Sequence, residues 1–238
     1  KELERHGYLR IAPLQHLPVI KDLVVDMRPF WGKIRDITPW LSTASAVPAT
    51  HNPGSSGSGY HNVDACIMCG ACVGACTVHA VSPGFAGPAA LAKVDRFLSD
   101  PREPEKLKRA RLAVLQEANG MWDCTRCNYC VEVCPKDVKP MEAIIRLRRA
   151  ALDRGLTATG GARHIAGFVS IIEQQGRLNE AIMPLKVVGW DVSRVLRILP
   201  LGVRMFFKGK VPNPLAHRLP GMAHVRAIFQ RARRPPAL

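Results

Sequence analysis

No cysteine occurs before Cys66 or after Cys134, and no acidic residue follows Asp191 in a chain of 238 residues. No stretch approaches the roughly 18 to 20 uninterrupted apolar residues of a membrane-spanning helix, which excludes an integral membrane protein of that kind. The first residues have no apolar core ending at a small-residue cleavage site, so no secretory signal is evident. Aromatic residues make up 6% of the chain, and its basic residues carry no recognition motif, so nucleic acid is not an expected partner. No Ser/His/Asp set, phosphate-cradling Gly-rich loop or carboxylate pair stands out, and the chain is expected to catalyse nothing alone. With 47% hydrophobic and 22% charged residues the chain is not disordered, and its length can bury a core without disulfides. It starts at Lys1, which is expected of a processed chain or of the downstream part of a longer one.

What is present is concentrated. The formal net charge is +15, but residues 1–191 hold 24 Lys and Arg against all 19 acids, so the excess lies mostly in the C-terminal tail with its ten further basic residues. All eight cysteines fall in two short runs of identical spacing, Cys66-x2-Cys69-x2-Cys72-x3-Cys76 and Cys124-x2-Cys127-x2-Cys130-x3-Cys134-Pro135. A disulfide framework would draw on distant segments, whereas cysteines three apart converge on a local centre. Zinc is the closer competitor, but its structural sites pair ligands across a long spacer, and three successive C-x2 steps leave an awkward count for one tetrahedral ion. The run matches the bacterial ferredoxin pattern, in which the fourth cysteine reaches across to the other cluster.

On that pattern Cys66, Cys69, Cys72 and Cys134 hold one 4Fe-4S cluster, and Cys124, Cys127, Cys130 and Cys76 hold a second. Two such clusters would lie roughly 10 to 12 Å apart, close enough for fast electron tunnelling. Eight thiolates and two oxidised cores would lower the net charge by about 4.

Along the chain, residues 8–12 alternate as a short strand, and Pro18 is expected to open a helix whose apolar positions include Val19, Leu23, Val24, Met27, Phe30 and Trp31. Residues 42–62, rich in Ser, Pro, Asn and Gly, read as a surface loop. Helices are expected over Pro88 to Leu98, over Pro104 to Ala118 before Asn119-Gly120, and over Pro140 to Arg154, with Met141, Ile144, Ile145 and Leu147 apolar and Arg146, Arg148 and Arg149 mostly on other faces. Residues 161–175, 192–207 and 224–234 read as further amphipathic helices. His79, three residues after Cys76, is read as an incidental loop residue rather than a tuning group. His164, on an apolar helix, is read as a packed or capped core residue.

Residues 10–150 resemble the second half of the iron-sulfur subunit of succinate dehydrogenases and fumarate reductases. The resemblance rests on Leu17-Pro18-Val19-Ile20-Lys21-Asp22-Leu23-Val24, on Lys33 to Leu41, on Phe85-Ala86-Gly87-Pro88-Ala89-Ala90-Leu91, on Arg96-Phe97-Leu98 with Asp100, and on Cys134-Pro135-Lys136, in order and spacing with the two cysteine runs. It implies a mainly α fold, an alpha-helical dicluster ferredoxin domain over 18–154. A lead-in of residues 1–17 precedes this domain, and a basic helical extension over 155–238 follows it.

The quinone-linked enzymes of that family have no cysteine at the position of Cys127, and the cluster there is a 3Fe-4S centre. Cys127 supplies the missing ligand, so the resemblance points to the branch with a second 4Fe-4S cluster, the 3Fe-4S form applying only if Cys127 is idle. Those enzymes also place Pro, Trp and His beside that cluster to bind quinone, where this chain has Thr77, roughly Val81 and Thr125. Family members carry a 2Fe-2S domain before the Leu17 segment, which is expected here on a missing segment or a partner.

The implied function is electron transfer between a flavoprotein subunit carrying FAD and a membrane anchor or quinone-reactive subunit. The implied location is peripheral, on the cytoplasmic face of a bacterial or archaeal membrane. Arg126 and Lys136 are candidate tuners of cluster potential. The basic, apolar tail reads as a segment for an anionic membrane surface or an anchor subunit, or as an extension wrapped on its own core. Two other readings remain open: a subunit of a heterodisulfide-reductase-like or anaerobic glycerol-3-phosphate dehydrogenase-like complex, and a structural or nucleic-acid-binding iron-sulfur protein.

Overall fold

The computed structural model describes residues 7–8, 11–41, 62–189, 192–211 and 219–233. The chain divides into two compact units, residues 1–156 and 157–238.

The first unit begins with a short antiparallel hairpin, β1 (Val19–Lys21) and β2 (Val24–Val25), pairing Val19 with Val25 and Lys21 with Val24. This replaces the helix expected from Pro18. The apolar positions do recur at helical spacing, but four of the residues are β-branched, and Asp22 takes a left-handed φ of +50° that turns the chain after three residues. The helix starts later, as α1 (Arg28–Asp36) with Pro29 in its first turn, and it buries Phe30 and Ile34. The strand expected at 8–12 lies partly outside the described residues, and residues 11–14 form none. Of the loop expected over 42–62, all but Asn62 lies outside them.

Short helices lie within each cysteine run, α2 (Ala71–Gly74) in the first and α6 (Tyr129–Glu132) in the second, and α3 (Thr77–Val81) follows the first. Between them lie α4 (Pro88–Leu98) and α5 (Glu105–Val114). Helix α5 ends at Val114, short of the Ala118 expected, and turns rather than helix lead on to Asn119-Gly120. A Cβ at Gly120 would fall on the Leu115 carbonyl, so only glycine fits that turn.

Helix α4 is the axis of the unit. Ala89, Ala90 and Ala92 let its neighbours approach closely, and α7 (Pro140–Asp153) packs along it more extensively than any other pair of elements. The core proper gathers Phe85, Leu91, Val94, Leu112, Met121, Ile144 and Leu147, all essentially solvent-free. Arg146 of α7 pairs with Asp95 of α4 at 2.7 Å. Asp100, fully buried, is held by Arg96 and Arg102, each at 2.7 Å, which keeps its carboxyl well below the usual carboxylate range.

In the second unit, α8 (Gly160–Gln175) is capped by Thr159, whose hydroxyl accepts from the Ala162 N–H, and ends at Gly176 with φ +76°. Helices α9 (Met183–Val188) and α11 (Met222–Arg233) both pack on α8, and α10 (Val192–Phe207) lies between them in sequence. His164 is exposed rather than packed in a core. Among the described residues no helix is long and apolar enough to cross a membrane.

Candidate metal centre

Each cysteine run enters through a 3₁₀ turn, Val63–Ala65 before Cys66 and Met121–Asp123 before Cys124. Each then passes through two left-handed residues, Met68 and Gly70 in the first run, Arg126 and Asn128 in the second. Such alternation curls the backbone into a concave loop, the geometry in which successive N–H groups face a bound anion or iron-sulfur group. The short helices α2 and α6 then carry Cys72 and Cys130 on the same turn.

The structure brings thiols of the two runs close to one another. One cavity is lined by Cys66, Cys69, Cys72 and, from the other run, Cys134, with Ile67, Met68 and Pro135 as apolar wall. Burial, then the charges of Cys130, Cys66, Cys69 and Cys134, pushes the Cys72 thiol up to about 12. Burial, then the charges of Cys124, Cys127 and, from the first run, Cys76, pushes the Cys130 thiol up to about 12. Cys72 and Cys130 are the link between the two runs. All eight cysteines are free thiols.

Buried among like charges, Cys72 and Cys130 resist ionising unless cations stand beside them. Two four-cysteine runs of C-x2-C-x2-C-x3-C spacing fit polynuclear iron-sulfur groups better than one tetrahedral zinc ion.

Hydrogen-bond donors ring the sulfurs. Burial raises the Cys76 thiol against the opposing N–H bonds of His79 and Val78 in the first turn of α3, and the Cys124 and Cys127 charges add to the rise. The Met141 N–H, from the first turn of α7, bonds Cys130, and the Val138 N–H bonds Cys134 at 3.4 Å. At Cys127 burial acts upward but is outweighed by the Thr77 hydroxyl at 3.6 Å, the Tyr129 N–H, the Thr125 hydroxyl and the Thr77 N–H, so its thiol falls below the ordinary value. Thr77 and Thr125, noted above as departures from the quinone-linked pattern, thus both serve the extra cysteine. Val81, the third of those positions, is exposed.

Several positions differ from the reading of the sequence. Arg148 faces inward, not out: its guanidinium donates to the carbonyls of Met121, Trp122 and Cys124 and stacks on the Trp122 ring, fixing the entry to the second run. His79 is no loose loop residue. It is 6% exposed, sits edge-on to Phe85 and meets the Lys33 ammonium at 3.0 Å, and burial with the Lys33 and His16 charges lowers it to about 4. Lys33 also donates to the carbonyls of Pro83 and Phe85. Asn62 donates to the carbonyls of Lys136 and Asp137, tying the entry of the first run to the exit of the second. Sequence gave no signal for Asn62, and for Arg148 only an arginine on a buried helix. Arg126 and Lys136 are exposed; Lys136 edges the first cavity.

The 4Fe-4S dicluster domain family matches residues 62–138. The chain is 31% identical over 220 residues to the 8-methylmenaquinol:fumarate reductase iron-sulfur subunit of Wolinella succinogenes, a match covering 90% of this chain and 67% of that protein. It is 37% identical over 140 residues to the fumarate reductase iron-sulfur subunit of Escherichia coli O157:H7, over 57% of this chain and 56% of the relative. With a mitochondrial succinate dehydrogenase [ubiquinone] iron-sulfur subunit of Arabidopsis thaliana it shares 32% identity over 142 residues, 58% of this chain and 46% of the relative. The chain thus spans about two thirds of the first and about half of the other two. With the dicluster motif matched and the similarity to the first relative running through nearly all of its length, this chain belongs to the family of fumarate reductase and succinate dehydrogenase iron-sulfur subunits.

Proposed function

We propose that the chain is an electron-transfer subunit with two 4Fe-4S clusters. One would be held by Cys66, Cys69, Cys72 and Cys134, the other by Cys76, Cys124, Cys127 and Cys130. The reading is supported by a cavity that Cys134 of the second run lines together with Cys66, Cys69 and Cys72 of the first, and by the nearness of Cys76 to Cys124, Cys127 and Cys130. Each cluster, when bound, supplies reversible one-electron redox chemistry.

The chain's own residues set where and how easily that happens. Left-handed backbone at Met68, Gly70, Arg126 and Asn128 curls each run into a concave loop. The N–H groups of Val78, His79, Tyr129, Val138 and Met141, with the hydroxyls of Thr77 and Thr125, would stabilise negative charge on the sulfurs and so favour the reduced state. Arg148 and Asn62 tie the loops through bonds to backbone carbonyls. In the assembled complex the chain would pass electrons between an FAD flavoprotein subunit that interconverts succinate and fumarate and a membrane-associated quinone-reactive subunit, at the cytoplasmic face of the membrane. Membership of the fumarate reductase and succinate dehydrogenase family supports this reading.

Anaerobic iron and sulfide analysis with electron paramagnetic resonance tests it. The expected result is close to eight irons, a silent oxidised state and a spin-coupled reduced spectrum. Close to seven irons with an oxidised-state 3Fe-4S signal would mean that Cys127 is idle. Co-purification with a flavin-bearing subunit checks the partner.

A further inference from the structure

Within the second unit α10 differs from its neighbours in what it leaves bare. Helix α11 turns Met222, Val225 and Phe229 inward at helical spacing and packs on α8, where Leu219 and Met222 close on Gly176. Helix α9 buries Met183. Helix α10 buries nothing: every one of its residues except Met205 is exposed, with Leu196 at 60% and Phe206 at 70%.

The bare surface is ordered. At 100° per residue, Val192, Val195, Leu196, Leu199, Val203 and Phe206 fill one sector of about 100°, while Arg194, Arg197 and Arg204 fall on the opposite side. The helix carries no acid, Lys208 and Lys210 follow it, and none of the 47 residues from Val192 onward is acidic. Its 16 residues make about 24 Å, too short to span a bilayer but suited to lying along one. An apolar face of Leu, Val and Phe opposite arginines is the composition of a helix that rests in the headgroup layer, where acyl chains accept the apolar side and anionic headgroups the cations. A protein groove would have to match the helix in width and place acids against its arginines. A lipid surface needs only apolar area and positive charge, and α10 has both.

We infer that α10 is an interfacial helix that binds an anionic lipid surface directly. This rests on the proposed function only in taking the relevant membrane to be the one where the electron-transfer complex works. Each arginine near an anionic surface contributes about 1 kcal/mol, a factor of about five.

The test uses the full, cluster-loaded chain and sedimentation with vesicles of phosphatidylglycerol and phosphatidylcholine, against phosphatidylcholine alone. Binding is expected only to the anionic vesicles. Arg197→Gln with Arg204→Gln should weaken it about thirtyfold, and Leu199→Glu with Phe206→Glu should abolish it. A matched charge loss elsewhere, Lys106→Gln with Lys108→Gln on α5, should leave it nearly unchanged. Helix content and cluster absorbance should be unaffected, since every altered α10 residue is exposed. Absence of vesicle binding overturns the inference, as does equal weakening by the α5 pair, which would mean diffuse basic attraction. If the α10 variants instead abolish co-purification with a membrane subunit while vesicles are ignored, α10 is a protein-docking face and the lipid assignment fails. None of these outcomes alters the iron count or the spectra, so the inference and the proposed function fail separately.

Discussion

The two cysteine runs share a backbone and differ in what surrounds it. Left-handed φ values of +58° and +77° at Met68 and Gly70 are matched by +58° and +71° at Arg126 and Asn128, and each run enters through a 3₁₀ turn and leaves through one turn of helix. Yet the thiols around the second run lie deeper, with Cys76 and Cys130 both buried, while the first set lines an open cavity whose four cysteines are half-buried or exposed. The second set also has an inward arginine at its entry and two threonine hydroxyls on Cys127. One repeated motif thus yields two environments, because a motif fixes ligand spacing and local backbone while helices α1, α4 and α7 supply the cover. Burial, hydrogen bonding and nearby charge tune iron-sulfur potentials, so the two proposed clusters should differ in potential despite identical ligands.

The most damaging way to probe that pairing is to remove a fourth cysteine. Cys134→Ser should produce the same spectral lesion as Cys69→Ser, and Cys76→Ser the same as Cys127→Ser, each halving or degrading one cluster of the pair. If Cys134→Ser instead matched Cys127→Ser, the crossing would be wrong. Next in size is Arg148→Lys. A lysine cannot serve three carbonyls in a fixed fork, and leaving them short should cost about 3 kcal/mol. The lesion should be confined to the second run, with iron falling from eight towards four while the spectrum of the first cluster persists.

Thr77→Val should act on the second cluster alone and without unfolding. Losing a hydroxyl donor to Cys127 should lower that cluster's reduction potential in a potentiometric titration, leaving the first cluster's midpoint in place. Smallest is the backbone contrast. Gly70→Ala forces a side chain onto a left-handed residue with Met27 Cε only 3.2 Å away, and should cost about 1–2 kcal/mol. Asn128→Gly, at the matching position, should change stability by no more than about 0.5 kcal/mol, since asparagine already tolerates that conformation. Thermal loss of cluster absorbance would rank the two.

Much of this was legible in the chain itself. The cysteine spacing named the cofactor class, and Pro88, Pro104 and Pro140 marked helix starts within a residue of those observed, because proline is favoured at a helix entrance. Periodicity misled at Val19 to Val25, where seven residues are too few to separate a helix from two β-branched strands around a left-handed Asp22. It misled again at Arg148 and His164. A heptad pattern says which side of a helix is apolar, but not whether an arginine at its edge finds unpaired carbonyls to serve or whether a histidine meets a neighbour at all.

The sequence by itself determined the two cysteine runs, the helical frame and the basic, acid-free tail, since each depends on residue type and short-range spacing. Only tertiary structure decided that Thr77 would reach Cys127 fifty residues away, that Arg148 would seal the second run, that Lys33 would meet His79, and that α11 would be covered while α10 stayed bare. Those outcomes depend on which surfaces meet when α4 and α7 close on the loops, and no local pattern encodes the geometry of that closure.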